Sequence, residues 1–178
     1  MKALFKEREG VGFILENVAV PEPKDDEVLV KLHSAAICGS DLKIYKWIPW
    51  VKNVVKTLPF IPGHECGGEV IDVGKNVSSV KVGDKVAAET HISCGNCWQC
   101  MHGRRHTSQN MELFGHSVNG CFAEYFVIPE VATRKLPLDF PIEKACLLEP
   151  MGIPFRAVEA GEVKGDTVVV IGCGPIGQ

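Results

Sequence analysis

The sequence lacks three features that would assign it to large classes of protein. No apolar run approaches the roughly 18 residues of a membrane helix, and residues 1–10 lack the apolar core of a signal peptide. The formal net charge is only -3, which gives no sign of binding to nucleic acid or to an anionic membrane. We therefore expect a cytoplasmic protein with no nucleic-acid partner and no membrane partner.

Eight cysteines stand out against this plain background. Without an export signal they are expected to stay reduced, as metal ligands or buried small residues. Cys94, Cys97 and Cys100 follow one another at a spacing of three, so that successive Cys-x-x turns aim three thiolates at one point. The alternative is disulfide bonding, which three cysteines so close together can hardly achieve without strain. The spacing therefore favours a metal.

Short apolar runs between turn signals predict a mostly β domain up to about residue 150. A helix is predicted over residues 40–47, and helical composition returns at residues 143–148 and 155–160, interrupted by Pro150 and Pro154. The β-branched run at residues 167–171 predicts a buried strand of a parallel sheet. The other predicted strands lie at residues 3–5, 12–15, 28–32, 70–73 and 122–128, and within residues 80–88 a turn at 82–85 leads into a further strand.

Three glycines follow that last predicted strand. Gly172, Gly174 and Gly177 form Gly-x-Gly-x-x-Gly, the dinucleotide-binding fingerprint. A dinucleotide site also needs the helix after the third glycine and an acidic residue about 20 positions further on. The chain contains neither, so we expect a nucleotide-binding domain of which only the start is present. These glycines alone are not expected to bind the cofactor tightly.

Cys38, His64, Glu65 and Glu149 form a second set of candidate metal ligands. A thiolate, an imidazole and a carboxylate suit zinc and leave one coordination position open for water or substrate. Zinc in such a site lowers the pKa of a bound alcohol, which is the first requirement for removing a hydride from it. The alternative is that these residues occupy ordinary structural positions, because ligands far apart in sequence have no local pattern to match.

Six residues meet the pattern Gly-His-Glu-x-x-Gly-x(5)-Gly-x-x-Val: Gly63, His64, Glu65, Gly68, Gly74 and Val77. With the cysteine lobe (residues 94–108) and the segments 37–47, 89–94, 121–125 and 172–177, they make the chain resemble the zinc-dependent medium-chain alcohol dehydrogenases, most closely the threonine 3-dehydrogenase branch. The resemblance covers the whole chain but only the first half of a family member. It implies a mostly β (α+β) fold, with a GroES-like β-barrel and a cysteine-rich zinc lobe over residues 1–150. A linker helix and the first strand of a truncated Rossmann domain would follow over residues 151–178.

The resemblance assigns two sets of zinc ligands by position. The catalytic set is Cys38, His64, Glu65 and Glu149. The structural set is Cys94, Cys97, Cys100 and, in place of a fourth cysteine, Ser108. A neutral hydroxyl is a poor zinc ligand beside thiolates, so three alternatives stand: His102 or His106 completes the shell, water completes it, or the site is empty.

Other residues receive supporting roles from the same resemblance. Asp41 would hold the imidazole of His64 through its second nitrogen, and Ser40 would pass the substrate proton outward. His91 matches a histidine near the substrate pocket, the alternative being an ordinary surface histidine. Lys43 departs from the threonine branch, which has histidine there, and a charged lysine offers no acceptor to a proton relay. A related secondary alcohol or a polyol is therefore the alternative to threonine.

The implied function is oxidation of a small-molecule secondary alcohol, threonine-like or polyol, by hydride transfer to NAD(P). Zinc is the implied metal cofactor, and the complete protein is expected to form homo-oligomers. We expect the 178-residue chain alone to be inactive. The alternative is a truncated, inactive remnant or a stand-alone zinc-binding GroES-like module.

Overall fold

The structure is a computed structural model that describes residues 1–178. It contains nine strands, three α-helices and four 3-10 helices. The strands are β1 (Lys2–Phe5), β2 (Ile14–Asn17), β3 (Glu27–Ala36), β4 (Glu65–Val73), β5 (Lys85–Ala88), β6 (His91–Ile92), β7 (Glu112–Leu113), β8 (Tyr125–Pro129) and β9 (Thr133–Lys135). The α-helices are α1 (Gly39–Lys46), α2 (Trp98–Met101) and α3 (Leu148–Gly161), and the 3-10 helices are Pro49–Asn53, Arg105–Thr107, Glu130–Ala132 and Ile142–Leu147.

A five-stranded antiparallel sheet organises the fold, in the order β8-β3-β4-β5-β9. The pairing of its two long strands, β3 and β4, shifts register after Leu29 and again after Leu32. Such irregularities bend a strand and increase its twist, and the sheet curls into a half-barrel. The pairs β1-β2 and β6-β7 are separate two-stranded sheets. The predicted mostly β class is confirmed, and α1 confirms the helix predicted over residues 40–47.

The main core packs on one face of this sheet. Val28 and Val30 on β3 point to the same face because side chains alternate along a strand, and they pack with Val70, Val86 and Phe126 from neighbouring strands. All five are buried. Burial of one such side chain contributes about 1.5–3 kcal/mol, so this cluster holds the strands in register.

One close contact joins the sheet to the C-terminal region. A Cβ on Gly67 of β4 would overlap the side chain of Ala145, so only glycine lets the 3-10 helix Ile142–Leu147 lie directly on the strand. The helix α3 follows at once, which brings Glu149 to the end of the sheet where Glu65 begins β4.

The C-terminal segment departs from two predictions. The interruption predicted at Pro150 and Pro154 is wrong, because α3 runs through both. Pro150 lies in its first turn, where a backbone N–H would have no acceptor within the helix, so proline costs no hydrogen bond there. The predicted domain boundary after residue 150 thus falls inside this helix. None of the three α-helices combines the length and the apolar character needed to cross a membrane.

Residues 167–171 form no strand in this structure. Val169 is 82% exposed and Ile171 is 96% exposed. A parallel strand needs a neighbour to satisfy its backbone groups, and no strand of the chain pairs with this segment. The predicted buried strand is therefore wrong for the 178-residue chain.

Candidate metal centres

The structure brings Cys38, His64 and Glu65 together. Their ligand atoms, a sulfur, a nitrogen and an oxygen, all lie within 4.8 Å of one another. His64 and Glu65 are 3% and 7% exposed, and Cys38 is half-buried. Zinc bonds of about 2.0–2.3 Å in a tetrahedron place ligand atoms about 3.3–3.8 Å apart. Small side-chain adjustments therefore let the three residues share one ion.

Two local features of the backbone aim these side chains. Cys38 is the N-cap of α1, and its backbone N–H donates to Asp41 Oδ2 at 2.9 Å. Gly63 has a φ of +93°, a conformation that favours glycine, and a Cβ there would overlap the ring of Phe122. The turn at Gly63 thus delivers His64 and Glu65 to the start of β4, beside the N-terminus of α1.

Asp41 lies behind the imidazole of His64. Its Oδ1 is 3.7 Å from His64 Nδ1, and neither buried atom has a hydrogen-bond partner. Because the carboxylate faces Nδ1, the other nitrogen, Nε2, is the one left for a metal. Partnerless polar atoms at this depth are costly, and a metal-bound imidazole that donates to the carboxylate is an arrangement that satisfies both. This pair therefore fits a zinc site.

Burial sets the protonation of the same group. It lowers the pKa of His64 to about 3, helped by the nearby His116 and His91. The imidazole is consequently neutral at neutral pH, which is the form that binds metals. Burial raises the pKa of Asp41 to about 6, against the lowering effect of the hydrogen bond from Cys38. Burial also raises the pKa of Glu65, whose contact with Cys38 works in the opposite direction.

The structure places the other predicted catalytic residues around this cluster but outside it. Ser40 Oγ is buried without a hydrogen-bond partner. Glu149 accepts a hydrogen bond of 2.6 Å from Thr90 Oγ1 and is not one of the clustered donors. His91 is paired with Glu89, its Nδ1 lying 2.9 Å from Glu89 Oε1, and half of its side chain is exposed.

Two further residues, His116 and Thr90, lie near the cluster of Cys38, His64 and Glu65, and the sequence did not predict either of them. His116 is buried, and its ring centroid is 4.5 Å from that of His64. Trp50 approaches the ring of His116 edge-on, at 6.3 Å between centroids, and Lys43 Nζ lies 5.3 Å from the centroid of Trp50. Thr90, the donor to Glu149, is the second such residue. No spacing pattern marks either residue, because each meets the centre only through the fold.

The cysteine lobe forms a second donor cluster. The sulfurs of Cys94, Cys97 and Cys100 also lie within 4.8 Å of one another, with 3.4 Å between Cys97 Sγ and Cys100 Sγ. Ser108 Oγ is 3.3 Å from Cys94 Sγ and 3.7 Å from Cys97 Sγ. All cysteines of the chain are free thiols. The hydroxyl of Ser108 therefore stands at the fourth corner beside three thiols.

Neither neighbouring histidine joins the three sulfurs. The ring of His102 stacks on Trp98 at 4.2 Å, and its Nδ1 lies 2.7 Å from the carbonyl oxygen of the same residue. His106 is exposed and faces a different cavity. A hydrogen bond from Ser108, with backbone hydrogen bonds, lowers the pKa of Cys94 to about 6. At neutral pH Cys94 is therefore a thiolate, the form of cysteine that binds a metal cation.

The glycine loop at the C-terminus lies apart from both clusters in sequence and is exposed. Gly172 has a φ of +105°, and Gly177 N–H donates to Gly174 carbonyl oxygen at 3.0 Å. A Cβ on Gly177 would overlap the carbonyl oxygen of Gly172. The loop therefore depends on its glycines for a tight turn.

Residues 24–138 match the alcohol dehydrogenase GroES-like domain family. The chain belongs to this family. It is 44% identical to an L-threonine 3-dehydrogenase of Pyrococcus horikoshii and 45% identical to one of Bacillus subtilis, in each case over 99% of the chain and 51% of the relative. The galactitol-1-phosphate dehydrogenase of Escherichia coli has a similar structure, with a TM-score of 0.88 and 32% identity over 99% of this chain and 50% of that one. The chain thus spans about half the length of the curated relatives it matches.

Proposed function

We propose that the chain is the N-terminal catalytic domain of a zinc-dependent alcohol dehydrogenase that oxidises a small secondary alcohol with NAD(P). The observation that carries the proposal is the cluster of Cys38, His64 and Glu65 with Asp41 behind the imidazole, in a member of the alcohol dehydrogenase GroES-like family. A mixed sulfur, nitrogen and oxygen set of three protein ligands is the donor set of an open, catalytic zinc site.

Zinc held at this cluster supplies a Lewis acid that lowers the pKa of an alcohol, and NAD(P) supplies the hydride acceptor. The protein itself would position the metal ligands and exclude water from them. Cys38, His64 and Glu65 would hold the ion, and Asp41 would orient the imidazole. Burial of His64 keeps it neutral at working pH, so that no proton competes with the metal.

We assign the substrate proton to Ser40. Its Oγ is buried, two residues after Cys38 in the chain, and has no hydrogen-bond partner in the structure, so it is free to accept a hydrogen bond from an alcohol. Glu149, held by Thr90, is proposed as the fourth carboxylate that can approach the ion. Burial is the main cause of the raised pKa of Glu65, and the nearby carboxylate of Glu149 adds to it, which supports this role.

For the substrate we propose a secondary alcohol of the threonine or polyol type. The relatives named as L-threonine 3-dehydrogenases favour threonine. Lys43 on the wall formed by Trp50 and His116 favours a polyol, as does the likeness to a galactitol-1-phosphate dehydrogenase. His91 is assigned to the substrate side of the cleft. In a complete, homo-oligomeric protein, Gly172, Gly174 and Gly177 would receive the NAD(P).

A second candidate is a zinc-binding module without dehydrogenase activity. Residues 167–171 are exposed and unpaired with any strand, so the 178-residue chain does not contain the sheet on which a dinucleotide site rests. This candidate shares the metal centres with the first but not the binding of an alcohol.

Cobalt substitution separates the two candidates without requiring turnover. We expect the visible bands of the Co²⁺-loaded chain to shift on addition of 2-butanol or L-threonine, since an alcohol enters the open position of the buried centre. The shift should disappear in Cys38→Ser and persist in Cys173→Ser, a matched change at an exposed cysteine outside both centres. Spectra that stay unchanged with every alcohol would favour the module.

A further inference from the structure

A cavity of about 160 Å³ opens between the cysteine lobe and the edge of the main sheet. Neither metal centre contributes a ligand to it. Arg105 and His106 belong to the lobe and Ser93 directly precedes it, whereas His91 belongs to β6 and Arg134 to β9. We call it the arginine pocket and define it by its polar lining: Glu89, His91, Ser93, Arg105, His106 and Arg134.

The arginine pocket carries excess positive charge. Arg105 and Arg134 have no carboxylate partner among the ion pairs of the chain. Glu89 is the only carboxylate in the lining, and it is occupied by His91, whose Nδ1 and backbone N–H lie 2.9 and 3.2 Å from Glu89 Oε1. With both imidazoles neutral the lining still has a net charge of +1, and it reaches +3 when both are protonated. This excess stands out in a chain whose net charge is -3.

Arg134 is held in place before any ligand arrives. Its Nη1 donates to the carbonyl oxygens of Val131 and Thr133, at 2.8 and 3.2 Å. The guanidinium is thereby fixed to the pocket wall, while its other N–H groups take no part in those bonds. A fixed guanidinium loses less side-chain entropy on binding than a mobile one. The pocket therefore has one ordered donor group and one free guanidinium, that of Arg105.

We propose that the arginine pocket binds a phosphate-sized oxyanion, either inorganic phosphate or the phosphate group of a phosphomonoester. Guanidinium groups donate in a fork that matches the oxygens of a phosphate. Ser93 and the imidazole of His106 add further donors around the same space. One water needs a cavity of only about 10–15 Å³, so the cavity of about 160 Å³ has room for a phosphate-sized anion.

The test is a titration of the zinc-loaded 178-residue chain with inorganic phosphate, at constant ionic strength maintained with chloride. Saturable binding is followed by calorimetry and by the rise in the unfolding temperature. We expect Arg105→Gln and Arg134→Gln each to weaken binding about tenfold, the loss of one charge-assisted contact. Arg104→Gln is the matched control, because Arg104 is exposed next to Arg105 but does not line the cavity.

Three results would overturn the proposal. The first is phosphate binding no stronger than that of chloride. The second is binding that survives the combined Arg105→Gln and Arg134→Gln change. The third is binding that is lost in Cys38→Ser but retained in both arginine variants, because the phosphate would then sit on the metal. Arg105 is exposed at the start of the short 3-10 helix Arg105–Thr107, so its variant stays informative even if Arg134→Gln impairs folding.

A second titration distinguishes the two sources of the oxyanion. Glycerol 3-phosphate that binds at least as tightly as inorganic phosphate, with no binding of glycerol, assigns the pocket to a phosphomonoester. Binding of inorganic phosphate alone assigns it to the free anion. Both results support the pocket. Neither depends on alcohol oxidation, so the proposed dehydrogenase function stands or falls separately.

Discussion

The two candidate metal centres differ in how the chain builds them. The buried centre combines sulfur, nitrogen and oxygen donors from Cys38 and from His64 and Glu65. These residues meet because β3 pairs with β4, which sets Ala36, two residues before Cys38, opposite Glu65. The cysteine lobe takes three sulfurs from one segment of seven residues, Cys94 to Cys100, with Ser108 at the remaining corner. A metal in the first centre therefore depends on the whole fold, whereas a metal in the second depends on local sequence. The buried, mixed-donor centre is suited to chemistry and the lobe to structure.

Loss of His64 should produce the largest difference in zinc affinity between the buried centre and the cysteine lobe. Four ligands bind structural zinc with about 10–16 kcal/mol, so one ligand is worth about 3 kcal/mol, or roughly a hundredfold in affinity. We expect His64→Ala to weaken zinc binding by that factor at the buried centre only, measured by competition with a chromogenic chelator. His102→Ala is the control, since its ring stacks on Trp98 and should change neither centre. An equal loss in both variants would contradict the assignment.

Asp41 tests whether the buried centre depends on a supporting residue. Asp41→Asn keeps the hydrogen bond to the Cys38 amide but removes the charge facing His64 Nδ1. Changes of this kind cost about 10–100-fold in metal affinity, and chelator competition measures the change. Asp84→Asn provides the contrast, because Asp84 is an equally buried carboxylate that pairs with Lys135 instead. It should lower the unfolding temperature and leave zinc affinity unaltered.

Ser108 stands beside the three thiols of the lobe, where a fourth thiolate would complete the set. Ser108→Cys places a fourth sulfur where the hydroxyl already lies 3.3 Å from Cys94 Sγ, and we expect zinc affinity at the lobe to rise about tenfold, since thiolate is the better ligand. Ser108→Ala, which removes only a poor ligand, should change it far less. An affinity that falls in Ser108→Cys, as read by chelator competition, would show that the corner is not a coordination position.

The smallest effect concerns the reactivity of the metal-free thiols. The hydrogen bond from Ser108 lowers the pKa of Cys94 to about 6, whereas burial raises that of Cys66. The thiol of an unfolded cysteine has a pKa near 8.5. Ionisation of Cys94 therefore stabilises the folded chain fully above about pH 8.5, and this stabilisation is lost as the pH falls through about 6. We expect iodoacetamide to alkylate Cys94 with a midpoint near pH 6 and Cys66 only after unfolding. In Ser108→Ala the midpoint of Cys94 should rise, with a several-fold slower reaction at pH 7.

The sequence predicted most strongly what is local. The spacing of Cys94, Cys97 and Cys100 and the glycine pattern around His64 are readable because a few neighbouring residues determine the geometry. His116 and Thr90 were not predictable, since each reaches the buried centre from a distant segment. The predicted strand at residues 167–171 fails for the opposite reason: its composition is right, but a strand also needs a partner, which the chain does not provide. At Pro154 the local sequence predicts an interruption of the helix, but α3 continues through this residue.

Zinc content per chain tests the central claim most directly. Purified chain is washed with a weak chelator and analysed for metal beside its Cys38→Ala variant. Two independent centres predict about two zinc ions per chain, falling to about one in the variant. One zinc ion that is unaffected by Cys38→Ala would place the metal in the cysteine lobe alone and contradict a catalytic centre at Cys38, His64 and Glu65.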